Sequence, residues 1–384
     1  MLRRNAGRKL SLAVGALALS LAGPAVGGPF EDGASAAKSG DYATALRLLR
    51  PLAAEGHAAS EYEIGSLYRD GHGVSKDYAQ AGMWFFRAAD QGHADAQYEL
   101  ARMYETGLFG QENYSEAIRW YTKAAEQNHI GAQYNLALIY YSGLGVAQDY
   151  GAAKTWFQKA ADQGHADALY ALGSLYYSGL GVEINYAEAA RIYRKAADQG
   201  HIASQIVLGS MFQKGRGVSR DDAEAARWYR HAAERGNADA QYALGLMSYT
   251  GIGVPKDDVA AASWFRKAAD QGHATAQYEL GHLHYSGLGV AMDWNQAIAW
   301  FQKAADQGNA DAQYALGGIY ERGVAAPRNY VEAYKWFSLA AANFAAPKQE
   351  MRTAAESARD RIAATMTAEQ IAEARALARD WKLK

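Results

Sequence analysis

The chain has 384 residues, with 39 Lys and Arg against 41 Asp and Glu, a formal charge of −2. That balance lacks the basic excess that nucleic-acid binding requires, and 49% hydrophobic with 21% charged content excludes a disordered chain. There is no cysteine, so the fold must hold by packing without disulfides, and no lipoprotein anchor at a cysteine is expected.

Residues 1–27 read as a secretory leader. Arg3, Arg4, Arg8 and Lys9 form a positive start, Leu10 to Gly23 an apolar run, and Ala25-Val26-Gly27 a small-residue cleavage site. The run is short for a membrane span, which needs about 20 residues. Arg3-Arg4 lacks the flanking consensus of a twin-arginine signal, which favours the general secretion route. The expected mature chain is soluble, at most peripheral to a membrane, and periplasmic or secreted from a bacterium, with an endoplasmic reticulum lumen as the alternative. Loss of those four basic residues takes its balance from −2 to −6.

Residues 28–57 contain "SGDYATALRLLRPLAAEG", which matches only the second helix of the pattern that follows and is expected to cap it. From 58 to 345 the chain repeats itself eight times with a step of 36. Glycine recurs at 56, 92, 164, 200, 236, 272 and 308, with Asn128 on the missing rung. A second glycine series runs from Gly71 to Gly323, and tryptophan recurs at 84, 120, 156, 228, 264, 300 and 336, with Ile192 in the gap. Each unit predicts two helices. Ala96, Leu100, Ala101 and Tyr104 share one helical face, and Tyr114, Ala117, Trp120, Tyr121, Ala124 and Ala125 share another. Alanine at 81, 117, 153, 189, 225, 261, 297 and 333 allows close helix approach, and the Trp and Tyr/Phe rings are expected to fill the space around it. The first Gly of "YYSGLGV" and the Gly of "QG" stand where a left-handed residue ends a helix. A dinucleotide reading of this G-x-G fails, because a third glycine and a preceding strand are missing.

Residues 346–384 are expected to close the array. Pro347 suits a first helical turn, and Thr367 to Gln370 offer a capping box before an apolar stripe of Ile371, Ala374, Leu377, Ala378 and Trp381.

"ADAQYELARMY", "YYSGLGV" and "DYGAAKTWFQKAADQGH" resemble the Sel1-like repeat, a relative of the tetratricopeptide repeat, over residues 58–345. The resemblance implies an all-α fold: an α-solenoid, a right-handed superhelix of αα-hairpins with a long groove. Departures are local: "GLFG" at 107–110 and "GVAAP" at 323–327 lack G-x-G. Asp222 and Asp258 replace the aromatic that starts the second helix, and Ile206, Ser248 and His284 replace other aromatics. Family members include periplasmic regulators of sensor kinases, exopolysaccharide secretion scaffolds and secreted host-interaction proteins. The resemblance therefore implies a non-enzymatic scaffold for a protein or peptide partner.

The recurring histidines, His57, His93, His129, His165, His201 and His273, alternate with Asn237 and Asn309 in one slot. Metal binding needs ligands that converge on one ion, whereas stacked helices lie about 8–10 Å apart. Asparagine is a favoured helix cap, so the slot reads as a turn or cap. In "GHLHYSG", His284 is expected to be packed and His282 solvated. Ser35 to Lys38 fits S-x-x-K, but S-D-N and K-T-G are absent, and a cell-wall or β-lactam hydrolase is kept only as the competing reading. No catalytic, cofactor or metal site is expected.

The remaining candidates are surface positions of the first helices, by resemblance to tetratricopeptide arrays: Asn135, Leu138, Tyr141, Tyr177, Gln213, Leu246, Tyr249, His282 and Tyr285. Tyr141, Tyr177, Tyr249 and Tyr285 share one slot, five residues after a core leucine. They form either a row of binding rings, suited to an extended peptide or a polysaccharide chain, or an extension of the core. The negative balance favours a partner with basic character.

Overall fold

The computed structural model describes residues 27–108, 110–324 and 327–383, so the leader ahead of Gly27 lies outside the described residues. Among the described residues there are twenty α-helices, one 3-10 turn and no strand. They form two compact units, one up to Ala132 and one from Gln133.

The first unit holds the helices Pro29–Ser39, Tyr42–Ala54, Ala58–Asp70, Tyr78–Asp90, Ala94–Glu105 and Tyr114–Glu126. The second starts within the helix Ile130–Ser142 and continues with Tyr150–Asp162, Ala166–Ser178, Tyr186–Asp198, Ile202–Lys214 and Asp222–Glu234. Ala238–Thr250, Asp258–Asp270, Ala274–Ser286, Trp294–Asp306, Ala310–Arg322 and Tyr330–Asn343 complete its repeats. Gln349–Ala363 and Ala368–Asp380 close it. Within each unit consecutive helices pack as antiparallel hairpins, which is the α-solenoid arrangement.

Capping sets the helix limits. Every second helix of a repeat opens on Asp or Asn, from Asp77 to Asn329, whose carbonyl or carboxylate oxygen accepts from the backbone N–H three residues on. Gly179, at φ 74°, closes the first helix Ala166–Ser178, and Asn128, at φ 64°, adopts the left-handed form that glycine takes on the other rungs.

The Trp and Tyr/Phe rings do not share the core equally. The uniformly buried ring is the one that follows the tryptophan slot: Phe85, Tyr121, Phe157, Tyr193, Tyr229, Phe265, Phe301 and Phe337. Trp120, Trp228, Trp300 and Trp336 are also buried, whereas Trp84, Trp156 and Trp264 are half-buried and lie beneath Arg87, Lys159 and Lys267. The reason is geometric. The following ring points at the middle of its own repeat's first helix, where Gly65, Gly173, Gly209, Gly245, Gly281 or Gly317 leaves room for it. At Gly245 an added Cβ would lie 2.6 Å from Phe265.

The ends also show differences. Residues 28–57 form two helices, because Pro29 starts Pro29–Ser39 and the buried Gly33 lets that helix close onto Leu49. Ser35 and Lys38 lie exposed on it. At the other end Pro347 sits in a 3-10 turn, Ala346–Lys348, just ahead of Gln349–Ala363. The Thr367–Gln370 capping box is present. Ile371 and Ala374 pack with Tyr334, Phe337 and Ile362, while Ala378 and Trp381 pack near Trp336 and Leu339. Leu377 departs from the expected stripe and is exposed, pointing away from both contacts.

The substituted aromatics perturb only their surroundings. Ile206 remains in the apolar cluster, Ser248 Oγ donates to the Leu244 carbonyl at 2.9 Å, and buried His284 meets Arg266 Nη2 through Nε2 at 3.0 Å. His282 is half-buried rather than fully solvated. No described helix is long and apolar enough to cross a membrane.

Candidate functional site

The histidine slot is a repeated joint. His57, His93, His129, His165, His201 and His273 each present Nδ1 to the backbone N–H three residues on, at 3.0–3.3 Å. Asn237 and Asn309 do the same with Oδ1 at 2.9 Å. An Nδ1 that accepts leaves the ring proton on Nε2. Nε2 then faces an aspartate on the first helix before the one it caps: His129 to Asp95 at 3.3 Å, His201 to Asp167 at 3.1 Å and His273 to Asp239 at 3.5 Å. The imidazole also stacks on that helix's tyrosine, as His165 does on Tyr134 with centroids 4.6 Å apart. One residue thus caps its own helix and joins it to its neighbour.

This geometry gives the array a pH dependence. Burial holds the His93 and His165 imidazoles below the usual histidine range, against the opposing pull of Asp95 and Asp167. With a lowered folded value, the unfolded chain binds the proton first, so these two groups stabilise the fold fully above about pH 6.5. That contribution is lost as pH falls through their lower folded values. His93→Asn with His165→Asn keeps the cap, as Asn237 does, and removes the titration. The double variant should therefore show a flatter melting temperature between about pH 6.5 and 5 than the parent, measured by circular dichroism. An unchanged slope would remove these histidines from the acid sensitivity.

Glutamines form a second joint. Gln97 donates to the Ala89 carbonyl of the preceding repeat at 3.0 Å and accepts from Gln127 at 2.8 Å. Gln241 with Gln271 and Gln277 with Gln307 repeat this pair at 2.8 Å. Two consecutive repeats break it. Leu169 replaces the first glutamine of one, and Arg235 replaces the second of the next, turning instead to the Gly200 carbonyl. Gln205, 4% exposed, is left with a buried Oε1 that has no hydrogen-bond partner.

On the first-helix face of the second unit, a cavity of about 360 Å³ opens between Ile130–Ser142 and Ala166–Ser178. Tyr134, Leu138, Tyr141, Phe157 and Tyr170 supply apolar walls, with Asp167, Ser174 and His201 as the polar groups. Small side chains at Ala171, Ser174 and Ala203 create the space. Asp167 raises the Tyr134 phenol above its usual value, second to the effect of burial. A smaller cavity, about 180 Å³, lies among Tyr278, His282, Tyr285 and Arg322.

Of the residues singled out from the sequence, Leu138 and Tyr141 line the larger cavity, and His282 and Tyr285 the smaller. Asn135, Tyr177, Leu246 and Tyr249 line neither. The four tyrosines of the row are half-buried. Tyr141 packs edge-on against Tyr150 at 5.3 Å, and Tyr177 against Tyr186 at 5.2 Å. Tyr134, Tyr170 and Asp167 escaped the sequence reading because they occupy the most regular slots, and His201 was read there only as a cap. Only the small residues beside them, Ala171 and Ser174, carried a signal. Among the described residues no group of three or more His, Cys, Asp or Glu is placed to hold a metal ion.

The stacked hairpins and their joints define a helical repeat protein. Sel1 repeats match at residues 58–93, 94–129, 130–165, 166–201, 202–237, 238–273, 274–309 and 310–343, and the chain belongs to the Sel1 repeat family. A Sel1 repeat protein from Oxalobacter formigenes is 33% identical, with a TM-score of 0.64 over 85% of this chain and 93% of its own. The uropathogenic Escherichia coli protein c5321, described as a protective antigen with an SLR fold, is 30% identical, with a TM-score of 0.62 over 88% of this chain and 86% of its own. No curated protein sequence matches the chain. Sel1 repeat proteins are in general non-enzymatic scaffolds for protein interaction.

Proposed function

We propose that this protein is a non-catalytic scaffold, exported from a bacterial cytoplasm, whose second unit docks an extended segment of a partner protein. The observation that carries the reading is the aromatic cavity on the first-helix face, where rigid rings offer contact area at low entropic cost. The family's general role in protein interaction supports the partner class. Export rests on the leader-like residues 1–27.

A photo-crosslinking residue at Leu138 tests the docking face, with Val259, an exposed position on a second helix, as the control. In cell-envelope fractions, a crosslinked polypeptide at Leu138 and none at Val259 is expected. Crosslinking confined to Val259 would place the functional surface elsewhere, and a crosslinked glycan would change the partner class. N-terminal sequencing of the exported chain should begin at Gly28; an uncleaved cytoplasmic chain would contradict export.

A further inference from the structure

The residues around the large cavity also indicate what enters it. Its walls are tyrosine and phenylalanine rings, and no Lys or Arg lines it. The two first helices that bound it, Ile130–Ser142 and Ala166–Ser178, carry a single charged side chain between them, Asp167. That carboxylate accepts from His201 Nε2 at 3.1 Å through Oδ1, yet its side chain stays 57% exposed. The cavity therefore combines aromatic faces, one accessible carboxylate that the His201 imidazole meets, and no Lys or Arg.

At a few other first-helix tyrosines the chain supplies its own guanidinium group. Arg102 lies over the Tyr98 ring, 5.8 Å from its centroid. Arg216 lies over Tyr177 at 5.5 Å and donates to its hydroxyl at 2.5 Å. Arg322 lines the smaller cavity and donates to the Tyr285 hydroxyl at 3.4 Å. Arg102 stands four residues after Tyr98; the same position after Tyr134 is Leu138, and after Tyr170 it is Ser174. The repeats that bound the large cavity thus lack the arginine that the repeat at 94–129 supplies internally.

We propose that the large cavity takes the guanidinium of an arginine side chain carried by the partner segment, set against Tyr134 and Tyr170 and paired with Asp167. This rests on the docking reading above and gives it a partner chemistry. A planar guanidinium stacks on aromatic faces and pairs with a carboxylate at once, whereas a lysine ammonium offers only a point charge. The negative balance of residues 28–384 acts in the same direction at longer range.

Fluorescence anisotropy with the full mature chain tests this, using labelled Ala-Ala-Xaa-Ala-Ala peptides with Arg, Lys, Gln or Phe at the centre. The Arg peptide should bind most tightly, about fivefold to tenfold better than the Gln peptide, and should weaken as salt rises. Asp167→Asn should lower Arg-peptide affinity about fivefold and leave the Phe peptide unchanged. Leu138→Arg, which supplies the cavity with an internal guanidinium as Arg102 does for Tyr98, should abolish Arg-peptide binding while helicity stays intact. If the Phe peptide binds as well as the Arg peptide and Asp167→Asn changes nothing, the arginine assignment falls and the docking groove stands. If no peptide shows binding sensitive to Leu138→Arg, the groove reading itself falls.

Discussion

Phe265→Ala should lower stability by about 3–5 kcal/mol, while Trp264→Ala, one residue earlier in the same helix, should cost well under half as much. Phe265 is fully buried, tilts against Tyr242 with centroids 5.8 Å apart, and fills the hollow left by Gly245. Truncating it leaves a cavity that the glycine cannot fill, because no side chain there can relax inward. Trp264 is larger but half-buried, and the Lys267 ammonium 4.0 Å from its ring is exchanged for water when the ring is removed. Urea denaturation of the two variants decides the matter. Equal losses, or a greater loss at Trp264, would show that the tryptophan slot carries the core after all.

Gly289→Ala should cost about 2–4 kcal/mol, against about 1 kcal/mol for Gly236→Ala. Both glycines have positive φ, 68° and 90°, so alanine strains both. Only Gly289 has a neighbour in the way: an added Cβ would fall on the carbonyl oxygen of Asp258, the first residue of the preceding repeat's second helix. At Gly236 nothing lies within 4 Å. The same approach recurs at Gly217 onto Tyr186 and at Gly253 onto Asp222, so the second glycine of G-x-G marks backbone contact between repeats. Thermal melts of the two variants give the comparison. Equal shifts would reduce the effect to backbone conformation alone.

The 36-residue step made the hairpins legible from the sequence, because caps, glycines and apolar faces all repeat in phase. His57 and its equivalents could be read as caps because Asn237 and Asn309 share their slot. Their second task, joining repeats through Tyr134 or Asp167, was not legible, since it spans about one whole step of the repeat. The ranking of rings within the core was not legible for a related reason. Tryptophan is conspicuous, but Phe265 is deeper because of Gly245 on another helix, and helical periodicity cannot rank adjacent residues on a broad face. Pro29–Ser39 was missed because Gly33 and Gly40 obscure its apolar pattern. The cavity was half-legible: Leu138 and Tyr141 stand on its wall, but its volume comes from what Ala171, Ser174 and Ala203 lack.

The interrupted glutamine joint has a consequence for how the second unit breathes. In a linear array, stability is a sum of each repeat's own term and its coupling to its neighbours, so the weakest coupling decides where the array parts first. A buried hydrogen bond contributes about 1 kcal/mol, and an orphaned acceptor such as Gln205 Oε1 costs a comparable amount. The seams at Leu169 and Gln205 lack this fastening and are expected to part before the others. Amides of Ala166–Ser178 and Ile202–Lys214 should therefore exchange with solvent ahead of those in Ala274–Ser286, whose joint through Gln277 and Gln307 is complete, and hydrogen-exchange mass spectrometry checks the order. A segment bound in the adjoining cavity is expected to slow that exchange.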